Sequence, residues 1–473
     1  MSDEVASKRK SGWHRLLHPK FAVPVVLLLV LIAAPFLYRS YRLSLISDPG
    51  EPFDVEAFIV EHTVPDEENA LVPFRNAIKQ YEAAPGIQWD EEYDDLWNVR
   101  PNEEKTKILL EYMQQIEPAL LAWEKASQMP NFSEISASIL NYYESLETTK
   151  GTGGIAMMGE IQAWIASENG DDVEAMRWLL CNLRSSRLIA RNGGIMSFLK
   201  GYARYRSTSE SILKWLAQQK LSTVDLKQLL KDVKTIHHLT PPISDHFKMD
   251  YLEILNSKEL ISSDFYEYLL PDYPPVLLPW IFYFQGEPDL FYRINSHSLA
   301  NHLRYADLPK YQRPPLSSCG ENVCYLYETS SGESIPPTQV TLERLEQAAE
   351  SSTLYLEIPN LFHNVIIASD KQILLQRVIE SVIHLEIYRK NNGEFPDTLT
   401  QAFPLSEDLP IDDLKPSGAV LNYVKDGPLH YRLWSVGFDG IDNGGVDPSF
   451  DRDAADLGIE MNRNDSLESP EEK

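Results

Sequence analysis

Cysteine is the residue this chain has least of: 473 positions hold three, Cys181, Cys319 and Cys324. An odd number leaves one thiol over, so no disulfide framework defines the fold. A chain of this length can bury more than one sizeable core without such staples. Basic side chains are also in short supply, with 43 Lys and Arg against 70 Asp and Glu and a net charge of −27. A surface of that sign repels phosphate backbones, so nucleic acid is not an expected partner. Also missing are a Gly-x-Ser-x-Gly elbow, a phosphate loop, a His-Glu-x-x-His helix and a paired Cys-x-x-Cys. Gly151-Thr-Gly-Gly154 has no strand before it and reads as the start of a helix. No local motif therefore assigns a reaction.

Charge is absent from one stretch altogether. Phe21 to Tyr38 is eighteen residues without a charge, which as a helix just reaches across a hydrocarbon core. Pro24 falls in its first turn and Pro35 near its far end, where each costs little. Lys8, Arg9, Lys10, Arg15 and Lys20 precede the span against only Asp3 and Glu4. The positive-inside bias then puts residues 1–20 in the cytoplasm as a basic tail, in spite of Arg39 and Arg42 beyond. The run is long for a signal core, and Pro35 after Ala33-Ala34 suits a cleavage site poorly. The expectation is an uncleaved, single-pass anchor in the inner (cytoplasmic) membrane over residues 21–38, with the bulk of the chain in the periplasm or outside. An exported chain meets oxidising conditions, so Cys319 and Cys324 could close a small loop, while Cys181, among Trp178, Leu179, Leu180 and Leu183, reads as a buried small hydrophobe.

Beyond a connector at Ser47 to Glu51, apolar spacing at three and four residues predicts helices over Glu68–Ala84, Lys107–Ala126, Ile155–Ala166, Val173–Ala190, Met196–Ala217 and Leu226–His237. Ser167-Glu-Asn-Gly-Asp-Asp172 is turn chemistry, so Ile155–Ala190 should be an antiparallel hairpin. The spacing does not recur three times, so an irregular helical domain over 52–307 is expected rather than a solenoid. Prolines from Pro271 to Pro279 predict a bend. Residues 308–355 form a connector rich in Pro, Ser and Gly, with a short helix at Thr341–Ser351. Among the histidines, His237 and His238 with His246 and Asp250 are the strongest metal candidates; His246 and Asp250 stand one helical turn apart, but no third ligand is evident from the sequence. His297 and His302, five apart, share no helical face. The tryptophans Trp89, Trp97, Trp123, Trp164, Trp178 and Trp215 are read as core packing.

The last quarter carries the one compound pattern. A helix over Lys371–Lys390 is closed by Asn391-Asn-Gly393. Phe395-Pro396-Asp397, two strand candidates at Ala419–Val424 and Leu429–Val436, and the acidic, glycine-opened loop Ser435-Val-Gly-Phe-Asp-Gly-Ile-Asp-Asn-Gly-Gly445 follow. With Tyr388, Tyr431-Arg-Leu-Trp-Ser435 and Asp456-Leu457, this order resembles the C-terminal domain of the type II secretion major pseudopilin. The resemblance implies an α+β lobe over 356–460 with a short antiparallel sheet, and a calcium loop. The implied ligands are Asp439 and Asp456, with main-chain oxygens near Trp434 and Ser435. Calcium takes six to eight oxygens in a flexible shell, and Asp442, Asp447, Asp451 and Asp453 are further candidates. The acidic spacing is not that of an EF-hand. Gly445 and Asp456 stand farther apart than in that family, and its leader, a glycine followed by a Phe-Thr-Leu-type start and a glutamate in the span, does not match here. Assembly into a pseudopilus is therefore not expected. The whole layout also resembles large membrane proteins of planctomycete bacteria, a likeness that implies no activity. Residues 461–473 read as a disordered acidic tail.

The resulting expectation is a mainly α, membrane-anchored envelope protein with an interaction or scaffolding role, a protein partner in the envelope, and a calcium-stabilised C-terminal lobe. The alternatives are an extracytoplasmic hydrolase whose site is assembled from distant residues, and an accessory component of a type II secretion-like system.

Overall fold

The computed structural model describes residues 19–44, 46–86, 96–97, 100–135, 150–256, 278–304, 306–313, 358–405, 409–415, 418–446 and 456–463. The fold is mainly helical, with one apolar helix of membrane length near the N-terminus and a small three-stranded antiparallel sheet near the C-terminus. Two compact units are present. The first comprises residues 1–52, 257–301 and 316–359, and the second comprises 53–256, 302–315 and 360–473. The loop that Cys319 and Cys324 could close, the helix at Thr341–Ser351 and residues 271–277 of the proline-rich bend lie outside the described residues.

In the first unit, α1 runs from Pro19 to Ser44, six residues past the expected end of the span. Its apolar side chains are uncovered; Leu29 is 59 % exposed and Leu31 69 %. Two further helices, α10 (Leu278–Gln285) and α11 (Asp289–His302), complete the described part of this unit, the last residue of α11 falling in the second.

The second unit opens with α2 (Val55–His62), α3 (Leu71–Ala83) and α4 (Glu103–Ser127). It continues through α5 (Thr152–Glu168), α6 (Asp172–Ala190) and α7 (Ile195–Gln218) to α8 (Thr223–His237) and α9 (Ile243–Asn256). Local chemistry sets these boundaries. Asn102 and Asp171 cap α4 and α6 by accepting amides of the first turn, and Ser222 forms a reciprocal capping box with Asp225. Gly170, at φ +78°, turns α5 into α6, so the predicted hairpin is there. Gly151, at φ +81°, begins α5.

Close approach depends on two glycines. A Cβ on Gly201 would stand 2.7 Å from the Ser186 carbonyl, so α6 and α7 pack at near backbone distance, and one on Gly159 would stand 2.5 Å from the Asn182 side chain, so α5 leaves room there for that amide. Across the α5–α7 contact, Glu160 accepts hydroxyls of Ser207, Thr208 and Ser211.

The chain returns as α12 (Ile358–Asn392), which Gly393 closes at φ +87°. The strands are β1 (Asn422–Gly427), β2 (His430–Ser435) and β3 (Leu457–Asn462), in the order β1-β2-β3. The third strand had no separate signal in the sequence, and it takes in the first two residues of the expected tail. One hydrophobic core joins all of this: Phe74, Trp123, Trp215, Val378, Phe395 and Tyr431 belong to the same buried cluster. The helix and sheet of the C-terminal lobe thus share their interior with α3–α8.

Candidate functional site

The acidic loop between β2 and β3 is held open by glycines at positive φ, namely Gly437, Gly440, Gly444 and Gly445. Gly445 is irreplaceable for a second reason, since a Cβ there would enter the Trp434 ring at 2.5 Å. Asp456, 1 % exposed, lies under the loop. Its Oδ2 accepts the Gly445 amide at 2.8 Å and the Asn443 amide at 3.1 Å. Asp442 accepts the Trp434 indole N–H and the Gly444 amide, both at 2.9 Å, and these donors hold its carboxyl below the usual range. Asp439 is exposed and accepts the nearby Ile441 amide at 2.9 Å.

Trp434 and Ser435 sit in the middle strand, paired with Gly458 and Leu457. The Ser435 hydroxyl, fully buried, donates to Asp412 Oδ1 at 2.8 Å. The fold therefore gathers Asp442 and Asp456 on one loop, leaves Asp439 at its rim, and turns the Ser435 side chain inward to Asp412. Asp447, Asp451 and Asp453 lie outside the described residues. Among those described, no group of three or more His, Cys, Asp or Glu side chains could hold a metal ion. Asp442 Oδ1 and Asp456 Oδ2 each already accept two donors, whereas Asp442 Oδ2 and Asp456 Oδ1 each accept one and keep a lone pair for a further donor or a cation.

Removing the buried carboxylate should be felt without any metal. Asp456→Ala strands the Asn443 and Gly445 amides and is expected to cost about 2 kcal/mol, read as a lowered urea midpoint in the presence of a calcium chelator; an unchanged midpoint would show that the amides find other partners.

The histidines divide between two places. His237 is 9 % exposed; its Nε2 meets the Tyr205 hydroxyl at 2.9 Å and its Nδ1 meets Glu380 Oε1 at 2.5 Å. With Nδ1–H donating to the carboxylate, Nε2 accepts from the phenol. Burial lowers the imidazole pKa against the pull of Glu380, and burial raises the Tyr205 phenol above its usual range. Arg187, fully buried, stacks its guanidinium 4.0 Å from the centre of the Tyr205 ring. A cavity of about 250 Å³ opens beside this chain, lined by His238, Arg377, Ser381 and Phe403 among others. The phenol faces the core, so the carboxylate–imidazole–hydroxyl sequence presents no accessible nucleophile.

His246 belongs elsewhere. Its Nδ1 meets the Gly193 carbonyl at 2.8 Å, its ring lies 4.9 Å from Phe198, and burial lowers its pKa to about 4. Asp250, one turn on, accepts no hydrogen bond among the described residues, and desolvation pushes its carboxyl up to about 7. Glu253 follows on the same face of α9, against Gly194, while Glu134 lies against Gly193 and accepts the Ser197 hydroxyl. Glu134 was not legible as a neighbour of this turn, since it stands 63 residues before Ser197, whose hydroxyl it accepts. His297 contacts the Ser47 carbonyl at 2.9 Å, and the His302 ring lies 5.8 Å from Phe247. Cys181 is buried beside the Ser127 hydroxyl, and burial raises its thiol to about 12.

Compared with protein-family models, with curated proteins and with solved structures, the chain matches none. Its functional reading therefore rests on the residues themselves.

Asp250 and His246 make opposite contributions to pH dependence. A carboxyl near 7 in the fold and near 4 in the unfolded chain holds its proton only when folded, so its contribution falls as pH rises from about 4 to about 7. The imidazole, at about 4 folded and about 6.5 unfolded, gains stability over nearly the same range. Asp250→Asn should thus stabilise the protein at pH 8 by about 2 kcal/mol after allowance for partial exposure, with little change at pH 4. Chemical denaturation at the two pH values checks this, and equal shifts at both would place the effect elsewhere.

Proposed function

We propose that the chain is a non-enzymatic, single-pass envelope protein. In this reading α1 crosses the inner membrane, residues 1–20 lie in the cytoplasm, and the helical body and C-terminal lobe serve an interaction or scaffolding role on the far side with an envelope protein partner. The observation that carries the proposal is α1 itself. It has membrane length, and none of its most apolar stretch is buried, a state that water would penalise by roughly 25 cal/mol per Å² of exposed apolar surface. Protease added to intact spheroplasts is expected to digest a C-terminal epitope. An epitope that survives until the cells are lysed reverses the compartment.

Calcium enters the same reading as a structural clip. Asp442 and Asp456, with Asp439 and main-chain oxygens near Trp434 and Ser435, would hold the ion, which would offset their clustered charge. Support comes from the loop's glycines and from the exposed carboxylate of Asp442 standing on the same loop as the buried one of Asp456. Millimolar calcium should raise the melting temperature of the full chain, and Asp439→Ala should abolish the rise; no rise in the unaltered chain removes the ion. The sequence α12, β1, β2, glycine-opened loop, β3 supports the likeness to the pseudopilin lobe and, through it, a role beside a secretion machine. Co-purification with secretion ATPase or outer-membrane channel subunits is the result that role requires.

One observation favours the hydrolase alternative: Asp250, a carboxyl titrating near neutrality, shares a helix face with His246 and Glu253. Hydrolysis of ester, glycoside or peptide substrates that disappears in Asp250→Asn would establish it.

A further inference from the structure

The exposed apolar surface of α1 continues onto α10. This helix reads Leu278-Pro-Trp-Ile-Phe-Tyr-Phe-Gln285 and has no polar face, a composition that ordinarily calls for burial. Yet Trp280 is 61 % exposed and Tyr283 41 %. The Phe284 ring meets Phe36 of α1 edge to face at 5.4 Å, and Trp280 stacks on Phe284 at 6.2 Å. Through Phe284 the open ring of Trp280 is therefore joined to Phe36, itself uncovered and near the end of the uncharged run.

Arginines fix this placement. Arg39 donates to the carbonyls of Tyr283 and Glu287, pairs with Asp289 at 2.5 Å, and lies 4.1 Å from the centre of the Tyr283 ring. Arg42 Nε donates to the Gln285 carbonyl at 3.2 Å. From α11, Arg293 donates to the carbonyls of Leu43 and Ile46 at 2.6 and 2.9 Å. Carbonyls at the end of α10 are thus satisfied by arginines of α1, and those at and just past the end of α1 by Arg293 of α11. Gly286, at φ +103°, makes the sharp turn beside Leu43.

We propose that α10 is a membrane-interface foot: it lies in the headgroup zone where α1 leaves the bilayer, with Trp280 and Tyr283 against lipid. The inference rests on α1 being a membrane anchor. Tryptophan and tyrosine favour that zone because each joins an apolar ring to a polar N–H or O–H. Eight residues are too few to span a bilayer but enough to lie along its surface. Polar clamps to Arg39 and Arg42 suit the watery side of the same boundary. The foot sets the rotation and tilt of α1, which flanking interfacial residues normally determine.

Spin-label accessibility in nanodiscs tests this on the full chain carrying Cys319→Ser and Cys324→Ser. Labels are attached singly at Leu29→Cys, Trp280→Cys and the exposed Val224→Cys, and collision rates with oxygen and a nickel chelate are compared. The expected order is Leu29 at hydrocarbon depth, position 280 at the headgroup boundary with nickel access several-fold below Val224, and Val224 in water. Position 280 as open to nickel as Val224, with Leu29 deep, overturns the foot and leaves the anchor standing. Nickel access at Leu29 overturns the anchor and the foot together. Protection of position 280 from both reagents means a protein cover, such as a second copy, and also overturns the proposal. In a variant that keeps an aromatic ring, Trp280→Phe, brominated lipid should quench less of the tryptophan emission than in the unaltered chain; equal quenching counts against the foot.

Discussion

Arg463→Ala is expected to lower the stability of the second unit by about 3–5 kcal/mol. Arg463 stands just past β3 and reaches two distant segments at once. It pairs with Glu386 of α12 at 2.7 Å and donates at 2.5 Å to the carbonyls of Leu216 and Ala217, the latter bond spanning 246 residues of sequence. Glu386 is fully buried, and Arg389 is its only other cationic partner among the described residues. Truncation leaves that carboxylate with half its compensation and uncovers the last carbonyls of α7, both in a dry interior where such losses are large. Urea denaturation of the full chain measures the cost. A change below about 1 kcal/mol would mean that Arg389 and water replace the lost guanidinium. Arg463→Lys keeps the charge but not the fork that serves carboxylate and carbonyls together, so it should recover only part of the loss.

Trp215→Ala is the second large effect, expected at about 3–5 kcal/mol. The indole is fully buried, and its Nε1 donates to Asp172 Oδ1 at 3.1 Å. The other oxygen of that carboxylate accepts the Lys220 amide at 2.9 Å, fixing the exit of α7. Alanine would leave a cavity among tightly spaced helices that glycine contacts already hold at backbone distance, so collapse around it is restricted. Trp215→Phe separates the two contributions, because it fills most of the volume and removes only the hydrogen bond. It should cost about 1–2 kcal/mol. Equal costs for both variants would show that the bond to Asp172, not packing, carries the residue.

Helix positions were the most legible part of the sequence. Leu226, Leu229, Val233 and Ile236 mark a stripe by spacing alone, whereas the start of α8 at Thr223 was missed because the Ser222–Asp225 capping box that sets it is polar and lies outside that stripe. The turn at Gly170 was legible because glycine is the residue that takes positive φ without strain. The third strand was not, because Leu457-Gly-Ile-Glu-Met-Asn462 is six residues long and contains a glycine, a weak strand signal. Its register explains the glycine: Gly458 faces Trp434, where a Cβ would stand 2.2 Å from the Leu433 carbonyl. The candidate sites were legible as residue types rather than as groupings. His237 and Glu380 are 143 residues apart, and no local period relates them. Asp439 and Asp456 were found through a resemblance in loop order, whereas the amide contacts that now define Asp456 depend on a turn whose closure only three dimensions reveal.

The guanidinium at position 463 also has a temporal meaning. A growing polypeptide can form the hairpin of α5 and α6 as soon as those residues emerge, but the end of α7 gains its final partner only after nearly 250 more have been made. Until then the apolar faces awaiting α12 and the sheet remain open to water and to other chains. Whichever compartment receives the chain must shield that half-finished surface, so holdase chaperones there should bind stalled chains that stop short of β3 and release those that extend past it.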